Sequence, residues 1–430
     1  MVETIYPGTV SGTVRSPGSK SHTIRALLIA ALADGRSVLH APLYSRDSAA
    51  AVEACRRFGA TVKTEENRIE VEGIAGTPRV RSALVNVENS GTTLYLATTI
   101  AALGEGSICF DGDESIRRRS AAPLIESLRE LGARIDERGE RGCAPFCVSG
   151  PLTGGKTSIS CRTSQYLSSL LIGLPLAAGE SEIDVPLLFE RPYVEMTLSR
   201  LDRQEIRYER RGLDWFRIPG GQQYHSFEAE IPGDFSSATF FFVLPAVTGG
   251  TLTVTGLDLD DPQGDKEIVT ILEAMGCSVE RTAKAITVTG PRPRRDGGEG
   301  LRGGTFDLNA MPDALPALAV AATTAAEPVR LVNVAHAREK ETDRIAVMTE
   351  ELSKMGAAVR ELPDGLQIDP STLSGAAVDA HEDHRVAMSL AIAGVAAVGE
   401  KPTRITGAES AEVTFPGFYE LLSKVVGRSS

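Results

Sequence analysis

A phrase that recurs along the chain constrains its fold more than any other feature. In four copies an amphipathic helix ends in glycine and a β-prone run follows. In a fifth, weaker copy glutamate stands in place of the glycine. The anchor positions are Gly59, Gly132, Glu205, Gly276 and Gly356. Their spacing of about 70 to 80 residues is near one sixth of the 430-residue chain. Helix–glycine–strand occurs in any α/β protein, but the regular spacing favours a true repeat, with each glycine a left-handed helix end.

Six other helical segments are rich in alanine and leucine and are apolar on nearly every side. They are residues 24–32, 92–103, 168–178, 236–247, 313–325 and 386–398. A helix without a polar face belongs inside a layered structure, so we expect these helices to be buried. A repeat of two helices with intervening strands accounts for both kinds of helix. The chain is long enough for at least two such cores.

Each apolar helix opens on a short polar phrase. These phrases are residues 18–23, 89–93, 162–165, 233–237, 311–313 and 383–385. The N-terminus of a helix offers unpaired N–H groups and a positive dipole end, which together attract anions. Ordinary capping by Ser, Thr, Asn or Asp explains any one phrase. Six of them, several with Lys, Arg or Gln attached, indicate a shared anion site.

The overall charge has the opposite sign to the one such a site needs. The formal net charge is -12 and the isoelectric point about 5.2. A negative body argues against broad binding of nucleic acid or anionic membranes, so the cations must be concentrated locally. The sequence shows neither a signal peptide nor a membrane-spanning segment, and the scattered cysteines are expected to be reduced. We therefore expect a cytoplasmic protein.

Two clusters near the C-terminal end mix acids and bases. Residues 336–344 hold Lys340 and Arg344 four positions apart, which on a helix would share one face. A solvated charged face is the alternative to a site that binds phosphate and moves a proton. Residues 381–385 carry two histidines, but not at the spacing of a zinc-binding HExxH helix, and Cys143 with Cys147 is a weak metal pair. We expect no metal.

The motifs together resemble the 5-enolpyruvylshikimate-3-phosphate synthase family over nearly the whole chain, in order. The matching segments are residues 17–21 with 25–27, 89–92, 112–119, 164–165, 191–193, 312–313, 338–344, 383–385 and 414–416. The resemblance implies an α/β (α+β) fold of two globular domains, each of three βαβαββ repeats with buried helices, hinged around a cleft. It implies one domain of residues 1–17 plus 232–430 and a second of residues 18–231, with hinges where the chain crosses.

The resemblance also implies the substrates and their binding residues. Shikimate 3-phosphate is expected to contact Lys20, Ser21, Arg25, Thr163, Ser164, Gln165, Tyr193, Asp313, His336 and Lys340. Phosphoenolpyruvate is expected to contact Lys20, Asn89, Gly91, Arg119, Gln165, Arg344 and Arg385. The implied catalytic groups are Asp313, as the base, and Glu341 or Lys20, as the acid that protonates C3. No cofactor and no partner beyond these two substrates is implied, and we expect a monomer.

This chain departs from the family pattern at three places. Glu190 stands where the family usually has serine, just before Arg-Pro-Tyr, and a carboxylate there would repel the shikimate phosphate. His336 replaces a usual asparagine. Residues 411–416 lack a lysine that many members use on phosphoenolpyruvate.

Two other interpretations fit part of the sequence pattern. The UDP-N-acetylglucosamine enolpyruvyl transferases share the fold, but they place a cysteine where this chain has Glu114 and asparagine where it has Ser21. A non-catalytic binding protein is favoured by Glu190 and the missing lysine, and opposed by Asp313, Lys340, Glu341 and Arg344.

Overall fold

The structure is a computed structural model that describes residues 1–428. The chain divides into two compact units. Unit 1 consists of Met1–Pro17 together with the chain from Pro232 onward, and unit 2 consists of Gly18–Ile231. The chain therefore passes from unit 1 to unit 2 after Pro17 and returns after Ile231.

Helices and strands alternate along both units. The described residues form helices α1 Lys20–Leu32, α2 Arg46–Phe58, α3 Gly91–Ala101, α4 Ala122–Glu130, α5 Ser164–Gly173, α6 Arg191–Arg203, α7 Phe235–Thr248, α8 Ile268–Ala274, α9 Leu315–Thr323, α10 Arg344–Lys354, α11 His384–Ala396 and α12 Phe418–Val425. The strands are β1 Val2–Ile5, β2 Gly8–Arg15, β3 Arg36–His40, β4 Thr61–Glu65, β5 Arg68–Glu72, β6 Ser82–Asn86, β7 Ser107–Asp111, β8 Arg134–Glu137, β9 Phe146–Ser149, β10 Gly155–Cys161, β11 Ser181–Leu188, β12 Glu209–Arg211, β13 Trp215–Ile218, β14 Glu228–Glu230, β15 Thr251–Thr255, β16 Ser278–Thr282, β17 Ala285–Thr289, β18 Gly304–Asp307, β19 Val329–Val332, β20 Ala358–Leu362, β21 Gly365–Asp369, β22 Ala377–Asp379, β23 Thr403–Thr406 and β24 Val426–Arg428.

Unit 2 has three four-stranded sheets with one topology. Their orders are β14-β3-β5-β4, β6-β7-β9-β8 and β10-β11-β13-β12. In each sheet the first two strands are parallel and the other two join antiparallel, which is the βαβαββ repeat. The first strand of one repeat, β14, comes from the far end of the unit in sequence. The expected repeat architecture is confirmed.

Unit 1 repeats the pattern with borrowed strands. The sheet β18-β19-β21-β20 is complete in itself. In the five-stranded sheet β16-β17-β15-β2-β24, the N-terminal β2 supplies the parallel first strand, and in β1-β23-β22 the N-terminal β1 closes the sheet. Residues before Pro17 thus complete two of the three sheets of unit 1 within the described chain.

The apolar helices are buried as the sequence predicted. Every residue of α3, α7, α9 and α11 is buried, and α1 and α5 are buried except at their N-terminal ends. Two separate hydrophobic cores result, one in each unit. The helices α2, α4, α6, α10 and α12 instead bury one apolar stripe, as amphipathic helices do.

The repeated helix ends have the predicted left-handed backbone. The φ angles are 110° at Gly59, 102° at Gly132, 104° at Gly276 and 93° at Gly356. Glu205 takes the same place in the weaker copy with a φ of 55°, although it carries a side chain. The repeat position is therefore fixed by backbone geometry rather than by residue type.

Residues 291–298 form a loop around the short 3-10 turn Arg294–Asp296, and two arginines of this loop donate to carbonyls near helix ends. Arg294 Nη1 donates to the carbonyl of Ala325 at 3.2 Å, beyond α9. Arg295 Nη1 donates to the carbonyls of Ala396 and Ala397 at the end of α11. The loop thus satisfies carbonyls that a helix C-terminus leaves unpaired.

The expectation that all cysteines are reduced is wrong for one pair. Cys109 and Cys147 form a disulfide, while Cys55, Cys143, Cys161 and Cys277 are free and buried. The two partners are 38 residues apart in sequence, and the antiparallel register of β7 and β9 sets them directly opposite. Sequence spacing could not show that pairing. No helix within residues 1–428 is both long and apolar enough to cross a bilayer.

Candidate active site

In unit 1, Asp313 lies at the centre of a buried charged cluster. It sits in the short 3-10 turn Pro312–Ala314 that leads into α9. Its Oδ1 accepts a hydrogen bond from Arg344 Nη1 at 2.6 Å, and its Oδ2 accepts from Arg385 Nη2 at 3.2 Å and Ser236 Oγ at 3.4 Å. The starts of four helices, α7, α9, α10 and α11, therefore supply this cluster.

Arg344 is surrounded by three carboxylates. Besides Asp313, it donates to Glu341 at 2.7 Å and to Asp383 at 2.8 Å. Burial acts to lower the pKa of this guanidinium, but the neighbouring carboxylates outweigh it and raise the pKa well above its ordinary value. Arg344 is therefore a permanent cation in a site almost closed to water.

Asp383 joins the two arginines. It caps α11 by accepting from the backbone N–H groups of Arg385 at 2.7 Å and Val386 at 3.4 Å, and it also accepts from Arg344. Arg385 donates to the carbonyl of Ser236 at 2.9 Å, and Asp313 and Asp234 raise its pKa against the lowering effect of burial. The capping residue of α11 thus also fixes the guanidinium of Arg344.

The charges of this cluster determine its chemistry. Two guanidinium groups face the three carboxylates of Asp313, Glu341 and Asp383. Both oxygens of Asp313 accept hydrogen bonds from guanidinium groups, which fixes the orientation of this carboxylate. An incoming anion would have to exchange with carboxylates that already pair with the two arginines.

Lys340 and Arg344 do not share a helix face, so that prediction is wrong. The helix α10 begins only at Arg344, because Asp343 caps it by accepting from Ile345 N at 3.1 Å and Ala346 N at 3.0 Å. Lys340 follows the 3-10 segment Ala335–Glu339, with extended backbone. His336 is buried within that segment.

In unit 2, Lys20 is the first residue of α1 and pairs with a carboxylate. Its Nζ lies 3.0 Å from Asp47 Oδ2 at the start of α2, and both side chains are largely buried. Ser19 caps the helix through His22 N at 3.5 Å. Ser21, next to Lys20, is partly exposed.

Arg25 is a structural connector as well as a cation. Its guanidinium is 1% exposed and donates to Thr197 Oγ1 at 2.8 Å, Ser168 Oγ at 3.4 Å and the carbonyls of Tyr193 and Ser21 at 3.1 Å. These bonds tie α1 to α5 and α6. Burial is the main cause that lowers its pKa to about 10.

The N-terminus of α3 brings the expected phosphoenolpyruvate residues of unit 2 together. A Cβ at Gly91 would lie 2.6 Å from Arg119 Nη1. Asn89 donates to Asp113 at 2.6 Å, and Gln165 donates to Thr92 Oγ1 at 3.4 Å across the starts of α3 and α5. Glycine at position 91 leaves room for the guanidinium of Arg119 in this position.

Glu190 fills the N-terminus of α5. Its Oε2 accepts from Thr163 Oγ1 at 3.2 Å, Ser164 N at 3.2 Å and Ser164 Oγ at 3.0 Å. Tyr193, one turn further along, is partly buried, and its carbonyl accepts from Arg25. The residue that departs from the family pattern therefore contacts two of the residues expected to bind shikimate 3-phosphate.

Sequence reasoning missed several residues of these clusters. Asp47, Thr197 and Ser168 have no local sequence signal that distinguishes them from ordinary polar positions. Ser236 lies in the polar opening 233–237, but its contact with Asp313 joins residues 77 positions apart. Asp383 had a signal, because it opens an apolar helix, but its contact with Arg344 joins residues 39 positions apart.

The metal alternatives gain no support. Cys147 is in a disulfide, so the pairing of Cys143 with Cys147 as ligands is wrong. His381 approaches Glu350 and Glu351 closely enough to share an ion, but Lys354 Nζ already lies 2.8 Å and 2.7 Å from the two carboxylates. We assign no metal to this group.

Known proteins resemble the chain over its full length. Two solved structures of EPSP synthase from Acinetobacter baumannii superpose with TM-scores of 0.81 and 0.80, at 27% and 26% identity, and cover 99% and 100% of this chain and 98% and 99% of theirs. Proteins named 3-phosphoshikimate 1-carboxyvinyltransferase from Acetivibrio thermocellus and Methanothrix thermoacetophila are 48% and 43% identical, covering 99% and 98% of this chain and 98% and 97% of the relatives.

The two-unit repeat fold with arginine-rich and lysine-bearing helix starts defines an enolpyruvyl transferase. Residues 5–422 match the family described as EPSP synthase (3-phosphoshikimate 1-carboxyvinyltransferase), and the chain belongs to this family. It is a transferase of aromatic amino acid biosynthesis that moves the enolpyruvyl group of phosphoenolpyruvate to shikimate 3-phosphate. The resemblance seen in the sequence is confirmed. The family that matches is not that of the UDP-N-acetylglucosamine enolpyruvyl transferases.

Proposed function

We propose that the two side-chain clusters carry the family reaction in this chain, with Asp313 as its base. Asp313 takes the proton of the acceptor hydroxyl while the oxygen of that hydroxyl bonds to C2 of phosphoenolpyruvate. Glu341 or Lys20 delivers a proton to C3. Loss of a C3 proton and of phosphate then yields the product. The supporting observation is that the Asp313 carboxylate accepts hydrogen bonds from both Arg344 and Arg385, which fix it between two cations.

The acceptor set is proposed from the residues that the family pattern implies. Shikimate 3-phosphate is held by Lys20, Ser21, Arg25, Thr163, Ser164, Gln165, Tyr193, Asp313, His336 and Lys340. Arg25 contributes in part through its buried bonds to Ser21 and Tyr193, which fix the backbone beside the ligand. The hydroxyls of Thr163 and Ser164 donate to Glu190, so they can bind shikimate 3-phosphate only after the Glu190 carboxylate has moved away from them.

The phosphoenolpyruvate set is Lys20, Asn89, Gly91, Arg119, Gln165, Arg344 and Arg385. Two unit negative charges 4 Å apart repel by about 4 kcal/mol at an effective dielectric of 20. Concentrated Lys and Arg side chains offset this repulsion when two phosphorylated substrates bind together. Positioning and electrostatics then supply most of the catalysis.

The proposed working form is a cytoplasmic monomer that uses no cofactor and binds no nucleic acid. The hinges are proposed at the two crossings, Pro17–Gly18 and Ile231–Pro232, where proline and glycine set the backbone. Light scattering of the purified protein would test the monomer directly.

Phosphate release from phosphoenolpyruvate in the presence of shikimate 3-phosphate tests the function. The wild-type protein is expected to release phosphate only when both substrates are present. Asp313→Asn keeps the size of the side chain but removes the base, so kcat should fall by about 10²- to 10⁴-fold. Asp260→Asn, on an exposed aspartate of the same unit, is the matched control and should retain full activity. A folded Asp313→Asn protein with unchanged kcat would remove Asp313 from the mechanism.

A further inference from the structure

Glu190 has a backbone and a burial that its sequence position does not explain. It is the residue before α6, with a φ of 55°, and its side chain makes no capping bond to its own helix. It is nevertheless only 2% exposed. A buried carboxylate without donors is unfavourable, so its environment must supply them.

The donors come from a different helix. Glu190 Oε2 accepts from the hydroxyls of Thr163 and Ser164 and from the backbone N–H of Ser164, all within 3.2 Å. A hydroxyl has one hydrogen to donate, so both hydroxyl hydrogens are committed to the same carboxylate oxygen. The positive end of the α5 dipole adds to the attraction.

A phosphate group would favour the same position at the N-terminus of α5 as the Glu190 carboxylate does. It is an anion that seeks hydroxyl and backbone donors at a helix N-terminus. It cannot share these donors with a carboxylate at hydrogen-bond distance, because like charges repel and no hydroxyl hydrogen remains. Arg25 lies close enough to interact with Glu190, but four of its five N–H donors already bind Thr197, Ser168 and two carbonyls.

We propose that Glu190 is an internal anion that occupies the phosphate position at the start of α5 and determines specificity by competing with the phosphate of the acceptor. The acceptor binds after the Glu190 carboxylate leaves Thr163 and Ser164, and this exchange sets its affinity. The inference rests on the proposed function, which gives Thr163 and Ser164 to shikimate 3-phosphate. It concerns a residue at which this chain differs from the usual family serine.

Binding titrations without phosphoenolpyruvate test the competition apart from turnover. Calorimetry would measure the Kd of shikimate 3-phosphate and of unphosphorylated shikimate for the full-length wild type, Glu190→Gln and Glu190→Ser. Glu190→Ser should bind shikimate 3-phosphate about tenfold tighter, since the repelling charge and the competing acceptor are both gone. Glu190→Gln should also bind it tighter, but by less, because the charge is gone while the amide oxygen can still accept from the same donors. The affinity of both variants for shikimate should change less than about twofold, because shikimate has no phosphate to compete.

Glu195→Gln is the matched control. It removes the same charge from the helix that Glu190 precedes, but the Glu195 carboxylate pairs with Arg210 in β12 at 2.7 Å. Neither Kd should change in this variant. If Glu190→Ser fails to fold, Glu190→Gln decides, because its amide oxygen can accept from the same donors.

Two results would overturn the proposal. Unchanged or weaker binding of shikimate 3-phosphate by folded Glu190→Gln would make Glu190 a structural cap of α5 only. Equal tightening for shikimate and its 3-phosphate would show that the phosphate is not what competes. Failure of the wild type to release phosphate with both substrates would instead contradict the proposed function, so the two failures are distinguishable.

Discussion

At position 91 a single missing methyl group leaves space for a cation. A Cβ there would lie 2.6 Å from Arg119 Nη1, at the flexible end of that side chain. Gly91→Ala should therefore leave stability nearly unchanged but displace the guanidinium, and the KM for phosphoenolpyruvate should rise about tenfold. Steady-state kinetics with each substrate varied in turn would measure this, with the KM for shikimate 3-phosphate much less affected.

A second glycine provides the control for this prediction. A Cβ at Gly427 would meet its nearest atom at an ordinary 3.7 Å, so Gly427→Ala should leave both KM values alone. If Gly91→Ala bound phosphoenolpyruvate as the wild type does, Arg119 would not be a ligand of that substrate.

Lys20 and Arg25 show what single residues in the sequence can and cannot reveal. Both were recognisable as cations near a helix start. The structure gives them different surroundings, since Lys20 faces one carboxylate and Arg25 binds two hydroxyls and two carbonyls on its own and neighbouring helices. Those partners are up to 172 positions away, so no local pattern could identify them.

At the scale of elements, the helix ends give a prediction about stability. Glu205 has a φ of 55° at a place where the other four copies have glycine. A side chain in the left-handed region costs energy that glycine does not, partly offset by the greater chain entropy of glycine in the unfolded state. Glu205→Gly should therefore raise the free energy of unfolding by about 0.5–1 kcal/mol.

Denaturant unfolding of two variants would check this. Glu205→Ala removes the same side chain but keeps the Cβ, so it should bring little gain. The reverse change at an equivalent place, Gly276→Ala, should destabilise, since its φ is 104°. Equal stability of Glu205→Gly and Glu205→Ala would argue that the left-handed backbone is not the source of the strain.

Element type was predictable while some element boundaries were not. The apolar helices followed directly from composition, because a segment without a polar face can only be buried. Lys340 and Arg344 were expected to share a helix face, but α10 begins only at Arg344, because Asp343 accepts from the first N–H groups. Caps compete locally, and periodicity does not rank the competitors.

At the scale of the whole molecule, the interrupted unit gives a prediction about folding. Residues 18–231 contain all three sheets and the entire core of unit 2. They should fold alone and unfold in one cooperative transition. Residues 232–430 alone lack β1 and β2, which complete two sheets, and should not reach native stability.

Restoring β1 and β2 to residues 232–430 would test whether their absence causes the loss of stability. Asp234 N donates to the Pro17 carbonyl at 2.9 Å, so a short Gly-Ser linker can join residue 17 to residue 232. That fusion should recover cooperative unfolding in calorimetry or circular dichroism. Cooperative folding of 232–430 without the N-terminal strands would show that the borrowed strands are dispensable.

The sequence by itself determined the repeat, the buried helices, the left-handed helix ends and, through its motifs, the family. These follow from periodicity and from local backbone preferences, which act over a few residues. Only the tertiary structure decided which carboxylate faces which cation. It set Asp313 between Arg344 and Arg385, Asp47 on Lys20, Cys109 opposite Cys147 and Glu190 on the start of α5. Such contacts join distant parts of the chain, and their partners are selected by the packing of elements rather than by neighbouring residues.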